Sequence, residues 1–134
     1  MGKRSKFVRI PRDRYETIDP RAIPPNLVKY LKGKDLYEPS VASGCLVDLL
    51  GEHGCSFVGG SDIQPLGAWD CPDNYKDGLD LTEEDLKGVD LLVTNPIYKK
   101  EWLLPLIDHW TSLKPVWLLL PSDLMFNGYF TVGS

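Results

Sequence analysis

Asn95-Pro96-Ile97-Tyr98 gathers a side-chain carbonyl, a backbone carbonyl and an aromatic ring within four residues. An exocyclic amino nitrogen conjugated with its ring is a poor nucleophile. The Asn95 side-chain oxygen and the Pro96 carbonyl can accept its two hydrogens, which draws the lone pair out of the ring. An aromatic face beside them can stack on a planar substrate. The tetrad follows Val89-Asp90-Leu91-Leu92-Val93-Thr94, an apolar run that reads as a buried parallel strand. The groups therefore sit at a strand's carboxyl end. Asn-Pro is also a common turn dipeptide, so a plain β-to-α turn is the alternative reading.

Other residues must be positioned with them. Leu36-Tyr37-Glu38-Pro39-Ser40-Val41-Ala42-Ser43-Gly44-Cys45-Leu46-Val47-Asp48 reads as a strand ending at Glu38, a tight turn of small residues and a helix opening near Gly44. Backbone N–H groups at such a helix start favour an anion, and small side chains let a ligand approach the main chain. Phe57-Val58-Gly59-Gly60-Ser61-Asp62-Ile63 reads as a second strand ending in an acid, 24 residues after Glu38. Asp77, in Lys76-Asp77-Gly78-Leu79-Asp80-Leu81, is a third acid in the series, with Asp80 its rival. Asp13-Arg14-Tyr15-Glu16-Thr17 precedes them all. For each acid, solvation at a strand end is the alternative.

These five elements, in this order and spacing, resemble the class I S-adenosylmethionine-dependent methyltransferases of the adenine-N6 DNA type. The overall texture is similar to the small enzymes carried by phages and prophages. The resemblance runs from Arg9 to Leu124. It implies a Rossmann-like fold and a site distributed along the chain. Glu38, Pro39, Ser40, Ala42 and Gly44 match the Glu/Asp-Pro-x-x-Gly-x-Gly motif that meets the methionine end of the cofactor. Asp62, with Ile63 beside it, matches the acid that accepts hydrogen bonds from the ribose hydroxyls. Asp77 matches the acid at the adenine amino group. Tyr15 and Thr17 match a Tyr-x-Thr element that closes over the cofactor. Asn95 and Pro96 would hold the acceptor amino group, and Tyr98 would stack on an extruded base. Asn95 would also border the cofactor. Two positions depart from the pattern. Ile97 replaces a second Pro, which loosens the loop. Ala42 replaces the first Gly, which is tolerable only where the backbone does not need positive φ.

The expected activity is methyl transfer from S-adenosylmethionine to adenine in DNA. The same loop chemistry suits a protein glutamine amide or an RNA guanine amino group. A cofactor-binding protein without transferase activity is the reading from a different class, favoured by Ala42, Ile97 and the short carboxyl end. No metal is expected: His53 and His109 lie 56 residues apart, with no Cys or His at ligand spacing.

At 134 residues the chain suits one domain with one sizeable core, and 43% apolar with 25% charged residues is ordinary globular composition. No apolar stretch reaches the length of a membrane span. Cys45, Cys55 and Cys71 are odd in number and lack a Cys-x-x-Cys spacing, which suggests reduced thiols and a cytoplasmic setting. The net charge of −4 is unevenly spread. Residues 1–14 carry Lys3, Arg4, Lys6, Arg9, Arg12 and Arg14 against Asp13, a local +5 that leaves −9 on the rest. This predicts a flexible basic arm over 1–14 and one methyltransferase-like domain over 15–134. The arm and the rim of the cleft are the expected contacts for DNA, with a solvated leader as the alternative.

The pattern predicts an α/β fold, a doubly wound and mostly parallel sheet. Residues 1–12 read as irregular. A short helix over 27–32 is capped by Asn26, and strand one covers 35–38. Helix A covers 43–53, with Leu46, Leu49 and Leu50 on one face, and strand two covers 56–62. A long loop spans 64–76, and Thr82-Glu83-Glu84-Asp85 reads as a helix start. A strand follows over 89–94. A helix over 100–112 carries Trp102, Leu103, Leu106 and Trp110 on one face, with Pro105 in its first turn or at a bend. The last strand is 115–120. The resemblance also implies a C-terminal antiparallel hairpin, which residues 121–134 are too few to supply. The apolar strand 115–120 is then expected at a sheet edge, where a homodimer or another partner covers it. Truncation and completion by a partner both stay open.

Overall fold

The computed structural model describes residues 5–10, 23–96 and 100–121, and the side chains of these except 5–10, 100, 120 and 121. Five strands, β1 (Ser5–Ile10), β2 (Asp35–Glu38), β3 (Ser56–Gly60), β4 (Leu91–Thr94) and β5 (Val116–Pro121), form one sheet in the order β1-β5-β4-β2-β3. All their pairings are parallel. Leu91, Leu92, Val93 and Thr94 are all buried, as a strand covered on both faces requires.

The two faces are covered by different elements. Helices α1 (Pro25–Leu31) and α2 (Cys45–Glu52) pack on one, where Leu27, Leu31, Leu46, Leu49 and Leu50 meet Leu36, Leu91, Val93 and Leu119. Helix α3 (Lys100–Leu113) packs on the other, where Leu103 and Trp110 meet Leu92, Val116 and Leu118, together with Leu81, Leu86 and Val89 of the preceding loop. Alternation within β4 divides it, with Leu91 and Val93 to one face and Leu92 to the other. The fold is α/β with an all-parallel sheet.

From β2 the chain crosses through α2 to β3 on one side, while β4 lies on β2's other side. The connection from β2 to β3 runs one way across the sheet and the connection from β3 to β4 returns past β2 the other way, so a crevice opens beyond the carboxyl ends of β2 and β4. The ends of β2, β3 and β4 carry Glu38, Asp62 and Asn95 toward that one edge.

Several expectations need correction. Residues 5–10 are not an irregular arm. They form β1, paired with β5 along its length from Ser5 opposite Val116 to Ile10 opposite Pro121. Phe7, Val8 and Ile10 are good strand formers, and the charges of Lys6 and Arg9 do not prevent a ladder made by the backbone. The strand at 115–120 is therefore not an edge: β1 and β4 flank it. The reason to expect a homodimer or other partner there falls away. A parallel N-terminal strand holds the place that the resemblance gives to the antiparallel hairpin. The tail after Pro121 lies outside the described residues.

Residues 82–88 make turns rather than a helix. The capping contacts form, with Thr82 N–H donating to Asp85 Oδ2 at 2.9 Å and Asp85 N–H to Thr82 Oγ1 at 3.2 Å. Gly88, at φ 83°, turns the chain away before a helix can propagate. Helix α1 starts with Pro24 at its cap and Pro25 in its first turn, ahead of Asn26. Proline suits that place because its missing N–H would have no helical partner. Helix α3 runs unbroken through Pro105. Strand β3 ends at Gly60, and Asp62 instead forms an isolated bridge with Tyr75. No helix among the described residues is long and apolar enough to cross a membrane.

Candidate functional site

The crevice at the switch point is a cleft of about 340 Å³, the size of a small-molecule site. Its sheet side is formed by Pro39 and Ser40 after β2, and by Asp62 and Ile63 after β3. Its lateral wall is Asp77, Gly78 and Leu79, in a 3-10 turn over Gly78–Asp80. Glu101, Trp102, Pro105, Leu106 and Trp110 of α3 close it opposite. Five of the expected site residues thus meet in one cleft: Pro39, Ser40, Asp62, Ile63 and Asp77. Asp80, the rival to Asp77, is exposed and does not line it.

Backbone and side-chain hydrogen bonds hold the sheet side and the lateral wall. Asp62 is nearly buried and accepts from the Ala42 N–H at 2.8 Å and the Gln64 N–H at 2.9 Å. Each oxygen keeps a second lone pair for a ligand hydroxyl. Asp77 accepts from the Leu79 N–H at 2.9 Å, which caps the 3-10 turn. That turn is clamped to α3. Trp110 Nε1 donates to the Gly78 carbonyl at 3.0 Å, and His109 Nε2 lies 2.6 Å from the Leu81 carbonyl. A Cβ on Gly78 would fall 2.7 Å from Leu106 Cδ2 and 2.8 Å from Trp110 Cζ2, so only glycine lets the turn sit this close.

Glu38 has a different place from the one expected. It does not line the cleft but is buried behind it, at 1% exposure. Its Oε1 accepts the Ser40 N–H at 2.8 Å, and its Oε2 accepts the Asn95 N–H at 3.3 Å. It thus ties the turn after β2 to the loop after β4. Burial pushes its carboxyl up to about 8, partly offset by hydrogen bonding, with the Asp62 carboxylate adding a smaller upward push. The direction follows from the cost of a desolvated charge.

The turn before α2 also departs from expectation. Ala42 has φ 49°, so the backbone does take the left-handed conformation that the Gly in this motif provides. Its methyl group carries strain on the order of 1 kcal/mol. Gly44, at φ 86°, lies under the Trp69 indole, where a Cβ would fall 2.2 Å from Nε1. Ala42 and Gly44 therefore stay outside the cleft lining, and the start of α2 is covered by Trp69.

Asn95 is partly buried and Pro96 buried, directly after β4. Tyr98, the third expected catalytic residue, lies outside the described residues, as do Ile97, Tyr15 and Thr17. Sequence reasoning missed the part played by Glu101, Trp102, Pro105 and Trp110. Trp102 and Trp110 were legible as part of one helical face, but not that this end of α3 would line a cleft. Pro105 has no N–H, so it withdraws the helical partner of the Glu101 carbonyl at the cleft wall.

The lining is chemically one-sided. Asp62, Asp77 and Glu101 bring three carboxylates, and among the described residues no Lys, Arg or His lines the cleft. Ile63, Leu79 and Trp102 are each about half exposed or more and line the same cleft. Large apolar side chains left open around a pocket suit a flat ring. The acceptors suit hydroxyls, amino groups or a positive centre, and they oppose a phosphate. Comparison with protein-family models, curated proteins and solved structures gave no match.

Proposed function

We propose that the cleft binds S-adenosylmethionine and that the chain transfers its methyl group to an exocyclic amino nitrogen, with adenine in DNA as the acceptor. One observation carries this reading. A cleft at the topological switch point combines three carboxylates with apolar faces and, among the described residues, no cation, and Glu38 ties its Ser40 wall to the loop bearing Asn95-Pro96. A dinucleotide or a nucleoside triphosphate would bring phosphates among these acids. A cationic, hydroxyl-bearing nucleoside matches them.

The residues present fit the group. Asp62 has lone pairs left to accept from ribose hydroxyls, and Asp77, in the lateral wall, would be the acceptor for an amino group on the base. Ile63, Leu79 and Trp102 offer apolar surface to the ring. The cofactor would supply an electrophilic methyl on a sulfonium. Asn95 and the Pro96 carbonyl would accept the two hydrogens of the acceptor amino group, fixing its lone pair toward the cleft. The basic residues of the amino-terminal segment are the DNA contacts in this reading. A protein amide or an RNA amino group presents the same problem to Asn95 and remains the alternative acceptor.

Trp69 over Gly44 favours a second reading, a cofactor-binding protein without transfer. With the start of α2 covered, the expected anion site for the methionine carboxylate is taken by an indole.

Transfer of labelled methyl from S-adenosylmethionine to unmethylated DNA, RNA and protein, with wild type and Asn95→Ala, separates these readings. The proposal expects transfer to DNA that falls by two orders of magnitude or more in Asn95→Ala, on the order of 3 kcal/mol of transition-state stabilisation. Cofactor affinity should stay within a few-fold. Near-normal turnover by the variant would remove Asn95 from the mechanism. Binding without any transfer would favour the second reading.

A further inference from the structure

Behind the cleft, the structure holds a polar contact that ligand binding does not explain. Thr94 is the last residue of β4 and is fully buried. Its Oγ1 is the one buried side-chain oxygen or nitrogen among the described residues without a hydrogen-bond partner. An unsatisfied buried hydroxyl oxygen is costly, so natural chains seldom keep one. Its neighbour is Glu38: no bond of ordinary geometry joins them, but the hydroxyl is close enough to donate to the ionised carboxyl and so to favour that form. Glu38 in turn accepts from Ser40 on one loop and Asn95 on the other, and the Asn95 bond is the longer by half an ångström.

We infer that Glu38 is a positioning residue that holds a proton on Oε2 and donates it to Thr94 Oγ1, so that one buried carboxyl sets the relative placement of the Ser40 turn and the Asn95 loop. With the proton present, Oε1 still accepts from Ser40, Thr94 is satisfied, and the Asn95 N–H keeps its longer contact with Oε2. When the proton leaves to solvent, Oε2 becomes a full acceptor. The Thr94 hydroxyl then rotates to donate, and the Asn95 N–H is drawn in. No bond other than the O–H is broken, and no further reactant is needed. The described group that opposes ionisation by its charge is the Asp62 carboxylate, from the loop after β3. Ser40 on its own turn, and Thr94 and Asn95 on β4 and its loop, contribute hydrogen bonds but no charge. The pull of Asp62 and the burial both keep the proton on near neutral pH.

The consequence for activity rests on the proposed function; the linkage itself does not. If Asn95 holds an amino group, its alignment with the cleft changes as this one carboxyl titrates. Because Oε1 keeps its bond to Ser40 of the cleft wall in both states while the Asn95 contact changes, the effect should fall on turnover more than on cofactor affinity.

The test is an amide-resonance titration of the whole ¹⁵N-labelled chain from pH 5 to 10, in wild type, Glu38→Gln and Thr94→Val. The expected result is that the Ser40 and Asn95 amides of the wild type shift together, with a shared midpoint near the 8 that burial gives Glu38. Glu38→Gln, which keeps one acceptor and donates permanently to Thr94, should abolish that shared step. Thr94→Val removes a donor to the ionised form and should move the midpoint upward. Should either variant fail to fold, the other and the wild-type titration still decide. Amides that titrate separately, a shared midpoint in the ordinary carboxylate range, or an unmoved midpoint in Thr94→Val would each overturn the inference. Failure to bind S-adenosylmethionine would leave the titration unaffected and would count against the proposed function alone.

Discussion

The two faces of the sheet are filled by different means. On the α1 and α2 face, leucines, an isoleucine, a valine and a cysteine make up the buried cluster. On the α3 face, apolar packing is joined by Trp110 and His109 reaching the carbonyls of Gly78 and Leu81. A loop of turns, not a second helix, fills the space beside α3. The first face needs only volume and apolarity. The second must hold a loop at a fixed distance from a helix and leave room between them. Substitutions on the first should therefore change stability alone, and substitutions on the second should change stability and the cleft together.

The largest effect expected is that of Trp110→Ala, which empties a fully buried indole and frees the Gly78 carbonyl. Denaturant unfolding should lose about 3–5 kcal/mol, and the cleft should lose its lateral wall. Leu50→Ala on the opposite face should lose about 2–5 kcal/mol while cleft binding, measured where both variants are folded, stays unchanged. Equal damage to the cleft from both would erase the distinction between the faces.

Glu38 sharpens the comparison from the polar edge between the faces. Its pKa is raised from 4.5 to about 8, so the folded chain holds a proton that the unfolded chain releases. Its stabilising contribution is complete below pH 4.5, declines as pH rises, and is gone above about 8. Measured against Glu38→Gln, wild-type stability should fall by a few kcal/mol across that window. A constant difference between the two at pH 5 and pH 9 would mean that the carboxyl is not held protonated.

The smallest effect concerns the strained turn. Ala42→Gly should raise stability by about 0.5–1 kcal/mol, because it relieves φ 49° at an exposed methyl with no packing to lose. A loss of stability would show that the turn prefers alanine.

Much of this arrangement was legible in the sequence because it follows from local pattern. Strand ends in a parallel sheet point the same way, so Glu38, Asp62 and Asn95 had to gather at one edge. Leu46, Leu49 and Leu50 had to face the sheet together. What was hidden depends on distant partners. Lys6 and Arg9 read as part of a solvated arm because nothing local shows that β5 needs a neighbour. Thr82 to Asp85 carry a helix-start signal that Gly88 cancels. Trp69 over Gly44 joins residues 25 apart through a loop without periodicity. The depth of Glu38 depends on β4 and β3 closing over it, which no window around Glu38 records.

The three carboxylates of the cleft, Asp62, Asp77 and Glu101, should favour a cationic nucleoside over one carrying phosphates. Titration calorimetry of the whole chain with S-adenosylmethionine and with ATP, repeated for Asp77→Ala and Glu101→Gln, tests that preference most directly. The account predicts saturable binding of S-adenosylmethionine, weakened by roughly 1–3 kcal/mol in Asp77→Ala and by less in Glu101→Gln, with no comparable binding of ATP. No binding of S-adenosylmethionine, or tighter binding of ATP, would contradict it.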